Sequence, residues 1–414
     1  MQTHRTRWLA LPLLMLSMQV LADSGPGAPS GDGEPILYLR YRYENIDSGS
    51  TPHGAEAHTL RTRLGYRTGE WNGWSALVEI DDVARLGGRY NDTRNGRTDH
   101  AVVADPDGAG VNQALLRYGA DHGEVTLGRQ RINLDNQRFI GGSGWRQNEQ
   151  TYDGAMLRFT PTGKLTLGYA WIAQVNTVFG PDDGPYATAA NRADSGGDSH
   201  LLHLRYALAP WLAATAYQYR LDLEDLAVSA TAPAGSLSGN TTGLRVDGAL
   251  DRFDYVLEYA RQDERGRTPW TLDGRYHLVE LGYRLGPVQF KAGQEVLGGA
   301  DGPGNRAFQA PLATKHQFQG WADMFGTTPA DGIDDRYLGA VAALAGGTLQ
   351  AWYHDFRAER GGASYGTELD LSYAHAVPGV DGLGGLLKYA HYDSDNPALT
   401  ADTRKVWLQL QYIY

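Results

Sequence analysis

From Ile36 to the end of the chain, apolar and polar residues alternate with a period of two in segments of about ten residues. The first segment places Leu37, Leu39, Tyr41 and Tyr43 on one side and Arg40, Arg42 and Glu44 on the other. The second repeats the pattern, with Leu60, Thr62, Leu64 and Tyr66 opposite Arg61, Arg63 and Arg67. Later segments do the same: Leu202, Leu204 and Tyr206 against His203 and Arg205, Val279, Leu281, Tyr283 and Leu285 against Glu280 and Arg284, and Leu369, Leu371 and Tyr373 against Glu368 and Asp370. One face of each strand suits lipid and the other carries charge. That pattern predicts membrane-spanning strands around a wet interior.

The connections alternate in length, which separates a membrane barrel from a soluble sandwich. Short turns are expected at residues 68–73, 119–123, 160–164, 209–211, 249–252, 286–287, 345–347 and 377–384, with longer polar loops between them. Counting His316 to Phe325 as a strand would break this alternation. Leaving it out gives an all-β, single closed antiparallel transmembrane barrel of about 18 strands, 16 being the next even count, with short periplasmic turns and long extracellular loops. Residues 36–414 form the barrel on this reading. Two long stretches, 133–150 and 297–335, are expected to fold into it, because the first is rich in charged and aromatic groups and the second carries Phe308, Phe318, Trp321 and Phe325.

Composition agrees and adds a compartment. Gly 53 and Tyr 24 are high, Cys is 0, charged residues make up 21%, and mean hydropathy is −0.43, which excludes a helical membrane protein and thiolate chemistry. Residues 1–22 place Arg5 and Arg7 ahead of the apolar run Trp8 to Leu16 and end at Ala22, the pattern of a secretory signal peptide. Residues 23–35 read as a flexible linker. The final segment alternates through Val406, Leu408, Leu410 and Tyr412 to a terminal Tyr414. A last strand ending in an aromatic residue is expected to engage the barrel-assembly machinery, which points to the outer membrane of a Gram-negative bacterium, with outer-membrane lipids as the surrounding partner.

Inward-facing parity yields more basic than acidic residues in a chain whose net charge is −11, so the acids must concentrate in the loops. Rings of Arg and Lys attract anions in pores, although cross-strand ion pairs would account for the same residues. The expected solute path is lined by Arg61, Arg63, Arg117, Arg129, Arg131, Arg138, Arg146, Arg158, Glu149 and Trp145. Val125 and Leu127 face lipid, which would send Arg129 and Arg131 outward too. A bulge at Gly128 is expected to turn both into the pore. Asp105 and Asp107 form a weak calcium candidate, read more simply as turn-forming carboxylates. The 12 His are scattered, and neither HExxH nor GxSxG occurs, so no catalytic residues and no cofactor are expected. Nucleic acid is not an expected partner. Trp71, Trp74, Trp171 and Trp211 read as interfacial girdle residues.

Four segments, HTLRTRLGYRTGEWNGWSALVEIDDV, VADPDGAGVNQALLRY, LGRQRINLDNQRFIGGSGWRQNEQTYDG and FQGWADMFGTTPADGIDD, resemble the alginate export family of outer-membrane porins. The RQRINLDNQRFIG to WRQNEQTYD run carries most of that resemblance. It implies an 18-stranded barrel with an electropositive pore that passes an anionic polysaccharide outward, gated by loops and a periplasmic turn. Two features depart from it: the inward charge is only mildly basic, and the short turns here are too short to plug a pore. The leading expectation is a passive channel for anionic solutes, an acidic polysaccharide such as alginate among them. Uptake of small carboxylates or sugars is the second, and a loop-plugged structural or surface-binding barrel is the third.

Overall fold

The strand pattern closes on itself. A computed structural model describes residue 31 and residues 33–414, so the signal segment 1–22 and most of the 23–35 linker lie outside the described residues. Eighteen strands follow one another around the barrel: β1 (Glu34–Ser48), β2 (Ala55–Arg67), β3 (Trp74–Arg89), β4 (Gly108–Ala120), β5 (Gly123–Gln130), β6 (Thr151–Thr162), β7 (Leu165–Asn176), β8 (Asp194–Ala209) and β9 (Leu212–Leu221). The second half comprises β10 (Gly239–Leu250), β11 (Phe253–Asp263), β12 (Asp273–Leu285), β13 (Val288–Gly298), β14 (Gly332–Leu344), β15 (Gly347–Arg357), β16 (Ser364–Ala376), β17 (Leu383–Ser394) and β18 (Thr403–Ile413). Each pairs antiparallel with its predecessor and successor. β1 and β18 seal the sheet, with Leu39 opposite Tyr412 and Tyr41 opposite Leu410. Closure leaves no unpaired edge, the condition a sheet must meet in lipid. β1 starts at Glu34, so Glu34 and Pro35 belong to the barrel and not to the linker.

Alternation decides which way each side chain points. Leu64, Leu281, Leu338 and Leu410 are exposed on the outer face, whereas Arg42, Arg61, Glu368 and Trp407 are buried on the inner one. Trp71, Trp74 and Trp211 lie at the short-turn end together with exposed Tyr118 and Phe253, and Trp171 lies farther along the outer wall. Such aromatic rings suit the interface between hydrocarbon and water. The turn between β14 and β15 is held by Ala345 and Gly346 at φ 48° and 84°, the left-handed pair that a two-residue hairpin requires. At the opposite end most connections are longer, and two of them, 131–150 and 299–331, return to pack against inward-facing wall residues. The stretch His316 to Phe325 is not a strand; it contributes to a single 3-10 turn, Lys315–Gln317, and irregular backbone.

Candidate functional site

Parity on β1 and β2 stacks arginines on one sector of the inner wall. Arg40 lies directly opposite Arg61 in the β1–β2 ladder, with Arg42 and Arg63 one pleat away on either side. Four like charges this close repel, so each needs acceptors. The 131–150 loop supplies them with its backbone: the carbonyls of Gly144, Trp145, Arg146 and Gln147 accept from Arg40 (2.8 Å), Arg42 (2.6 Å), Arg40 again and Arg61 (3.3 Å). Gln147 adds its side chain, accepting from Arg40 Nε at 2.9 Å and donating to Thr59 Oγ1 at 2.8 Å. Glu149 ends the run. Its carboxylate meets Arg61 at 3.3 Å, Arg63 at 3.1 Å, Asn112 at 3.3 Å and Arg131 through Nε. Burial opposes a charge there, yet Arg131, Arg63 and Arg61 hold the Glu149 carboxyl well below the usual carboxylate range. Wall acids hold some of the donors as well: Asp81 takes both arms of Arg63 at 2.7 Å, and Glu79 accepts from Arg131 (2.9 Å), Asn112 (2.9 Å) and Gln113 (2.8 Å).

The two inward loops are also bound to each other. Ile140 and Leu312 form a parallel bridge, Gly141 N–H donates to Leu312 O at 2.9 Å, and Thr314 N–H donates to Gln137 O at 3.0 Å. Trp145 stacks flat on His316 at 4.3 Å and 7°. His316 Nε2 lies 2.7 Å from Lys388 Nζ and its Nδ1 lies 2.7 Å from Asp323. The ionised Asp323 carboxylate can only accept, so Nδ1 carries the hydrogen, and in the neutral ring Nε2 is left to accept from Lys388. Burial, reinforced by Lys388 and Arg146, holds this imidazole well below its ordinary value, consistent with that neutral form. Asp323 also accepts from Arg146 at 3.2 Å and Lys405 at 3.1 Å. The Lys388 ammonium rests over Trp321 at 3.7 Å and Trp145 at 4.4 Å, close enough for cation–π attraction. On the neighbouring strand β16, Asp370 and Glu368 accept from the backbone N–H groups of Trp321 (3.1 Å) and Ala322 (2.6 Å).

Residues 37–329, well over half of the chain, match the family model described as alginate export. The chain belongs to the alginate export family. Membership together with the closed barrel makes it an outer-membrane channel protein. Comparison with curated proteins gives no match. Among solved structures, Acinetobacter baumannii OccAB4 superposes with a TM-score of 0.71 at 15% identity, covering 94% of this chain and 100% of that one. Pseudomonas aeruginosa OccK1 (OpdK) gives 0.69 at 14% identity over 94% and 100%, and OccK3 (OpdO) gives 0.66 at 19% over 92% and 96%. At these identities the likeness concerns the fold.

In this alginate export family member, the residues expected to line the path separate into distinct places. Arg61, Arg63, Arg131 and Glu149 come together in one cluster. Trp145 and Arg146 join a second, with His316, Asp323, Lys388 and Lys405. Arg138 stands apart at the far side of the 131–150 loop, bonded to Glu295 on β13 at 2.6 Å and to Gln319 of the 299–331 loop at 3.1 Å, with Phe318 beneath its guanidinium. Arg117 lies at the short-turn end, half exposed and paired with Glu124. Arg158, on the strand opposite Glu124, is exposed there too. Neither belongs to the clusters that the loops form.

The expected bulge at Gly128 is not there: β4–β5 and β5–β6 pairing runs through it without an inserted residue. Gly128 instead absorbs a local distortion at φ +112°, where a Cβ would lie 2.3 Å from Ala114 O. The extra residue sits on β4 at Asn112, between Val111 and Gln113, and it turns two adjacent amide side chains toward Glu79. Arg129 and Arg131 therefore part. Arg129 is held by Asp153 directly across the ladder at 2.7 Å, while Arg131 lies past the end of β5 and reaches the cluster. The calcium candidate also fails on geometry. Asp105 is fully buried, accepts from Gln147 N–H at 2.7 Å and faces Arg42 at 3.6 Å, so a guanidinium already holds the position a cation would take. Asp107 is exposed and its carbonyl accepts from Arg94. Sequence reasoning omitted Asn112, Gln147, His316, Asp323 and Trp407 from the site, while parity already turns Lys388 inward. Arg40 and Arg42 were readable from the same alternation that gave Arg61 and Arg63.

Proposed function

We propose that the barrel passes anionic solutes passively, with an acidic polysaccharide such as alginate as its cargo. The observation that supports this reading most is the arginine row Arg40, Arg42, Arg61 and Arg63, extended by Arg131, on one sector of the inner wall. Such a row lowers the electrostatic barrier to a carboxylate without making or breaking a bond. Small carboxylates share the chemistry and form the second cargo class. The measurement is a reversal potential across a planar bilayer under a salt gradient: anion preference is expected, and cation preference would refute the reading.

The interlock of the 131–150 and 299–331 loops favours one other reading, a barrel closed by its own loops. Deleting 299–331 separates the two. An opened pore would retain the channel reading, whereas a folded deletion variant with no conductance would support the plugged barrel.

A further inference from the structure

Segment 144–149 presents an unusual sequence of acceptors: carbonyls from Gly144, Trp145, Arg146 and Gln147, then the Glu149 carboxylate, all directed at the arginine row. The segment is turned rather than extended, with Arg146 N–H donating to Ser143 O at 3.1 Å, but its series of oxygen acceptors followed by a carboxylate is also the chemistry of an acidic saccharide. Arg63, Arg42 and Arg131 have wall partners of their own, whereas the side-chain hydrogen bonds of Arg40 and Arg61 all go to the loop. Asp81 fixes Arg63, Glu79 fixes Arg131 and Asn112, and Gln409 fixes Arg42 through Nη2 at 2.7 Å. Removing Glu149 would thus leave a preformed, positively charged seat: Arg61, Arg63 and Arg131 surround it, and Arg61 is the one of the three with no wall carboxylate within ion-pair distance among the described residues. Two guanidinium nitrogens in the row, Arg42 Nη1 and Arg61 Nε, are buried without a hydrogen-bond partner, so the backbone segment satisfies the row incompletely.

We infer that segment 144–149 is a self-ligand, with Glu149 occupying the seat where the row binds the carboxylate of an acidic sugar. The inference rests on the anion-channel reading and adds to it a named carboxylate site and an internal competitor for that site. A solute carboxylate enters by exchanging with Glu149, and the loop returns once the solute has moved on.

The test uses the full-length channel in planar bilayers, with glucuronate as probe and glucose as the uncharged control. Glu149→Gln removes the competitor while keeping the side chain's shape. If Glu149 fills the seat about nine-tenths of the time, the glucuronate concentration that half-blocks the current should fall about tenfold. Glu149→Asp should stay near the parent value, and adding Arg61→Gln to Glu149→Gln should abolish the gain. Glucose should act equally on all. An anion-selective parent channel whose Glu149→Gln variant shows unchanged or weaker glucuronate block would overturn the inference and leave the channel reading intact. A cation-selective parent channel would overturn both. A second measurement avoids changing the seat. The chain has no cysteine, so Asn148→Cys introduces a single thiol on the segment. Glucuronate should speed its labelling and glucose should not; a labelling rate indifferent to glucuronate under current-blocking conditions would also overturn the inference.

Discussion

At the scale of single residues, neighbours in sequence with the same charge do different work here. Arg129 and Arg131 are two positions apart, yet strand pairing stops at Gln130 and places them in separate networks. Arg129 closes a bidentate pair with Asp153, at 2.7 and 2.8 Å. Arg131 bridges Glu79 and Glu149, so it neutralises two acids beside the arginine row. Truncating Arg131 would leave those carboxylates facing the lumen with one cation fewer, and a buried charge deprived of its partner is costly. Arg131→Ser is therefore expected to move the reversal potential toward cation preference and to loosen the loop. Arg129→Ser is expected to leave selectivity at the parent value, because the charge it removes is already spent on Asp153. A selectivity loss of equal size in both variants would contradict this division.

The strands were legible in the sequence because a single rule, alternation against lipid, governs every one of them. Rejecting His316 to Phe325 as a strand depended on turn parity, a property of the whole series that no local pattern shows. The loops follow no such rule. Trp145 meets His316, and Arg138 meets Gln319, across more than 150 residues of intervening sequence, and only the closed barrel brings them within reach. The β4 bulge escaped for a related reason: Val111, Asn112 and Gln113 have no glycine or proline to mark an irregularity, and what holds the bulge is Glu79 on the neighbouring strand. The element this contact network creates is the pair of interlocked loops, and it has a pH dependence. His316 is kept neutral by burial, facing Lys388 on β17, Arg146 on the other loop, and Asp323, which Lys405 also reaches. Because its folded pKa lies below the free value, docking loses stability as pH falls below about 6.5, and the loss continues until the folded pKa is reached. Asp323 shifts the same balance at lower pH: burial opposes its charge, but His316 and Lys405 hold its carboxyl well below the ordinary range, so its contribution also disappears on acidification. Loop-opening events in single-channel records should become more frequent from pH 7.5 to pH 4.5. His316→Phe, which keeps a ring under Trp145 and cannot protonate, should flatten that dependence between pH 6.5 and the value at which Asp323 itself titrates.

At the scale of the whole molecule, the signs of charge are segregated. The net charge is −11, although one sector of the lumen is an arginine row, because acids collect on the long-loop rim. Asp99, Asp198, Asp301 and Asp393 there are all more than half exposed. The short-turn end has a more even mixture, in which half-exposed Arg117 pairs with Glu124 and Arg158 is exposed nearby. These two populations respond differently to salt. Exposed rim charges act through water and are screened within about 10 Å at 0.1 M and about 3 Å at 1 M, whereas the buried row is screened far less. An anion approaching the rim in dilute solution meets repulsion that an anion approaching from the short-turn side does not. Selectivity should consequently depend on orientation. With channels inserted in one direction, a tenfold salt gradient should give weaker anion preference when the dilute side bathes the long loops than when it bathes the short turns. Raising both sides toward 1 M should remove most of that difference and leave the anion preference of the lumen itself. Equal reversal potentials of opposite sign for the two gradient directions at low salt would show that the acidic rim does not govern entry. Loss of anion preference at 1 M, by contrast, would place the selective charges in exposed positions and argue against the buried arginine row as their source.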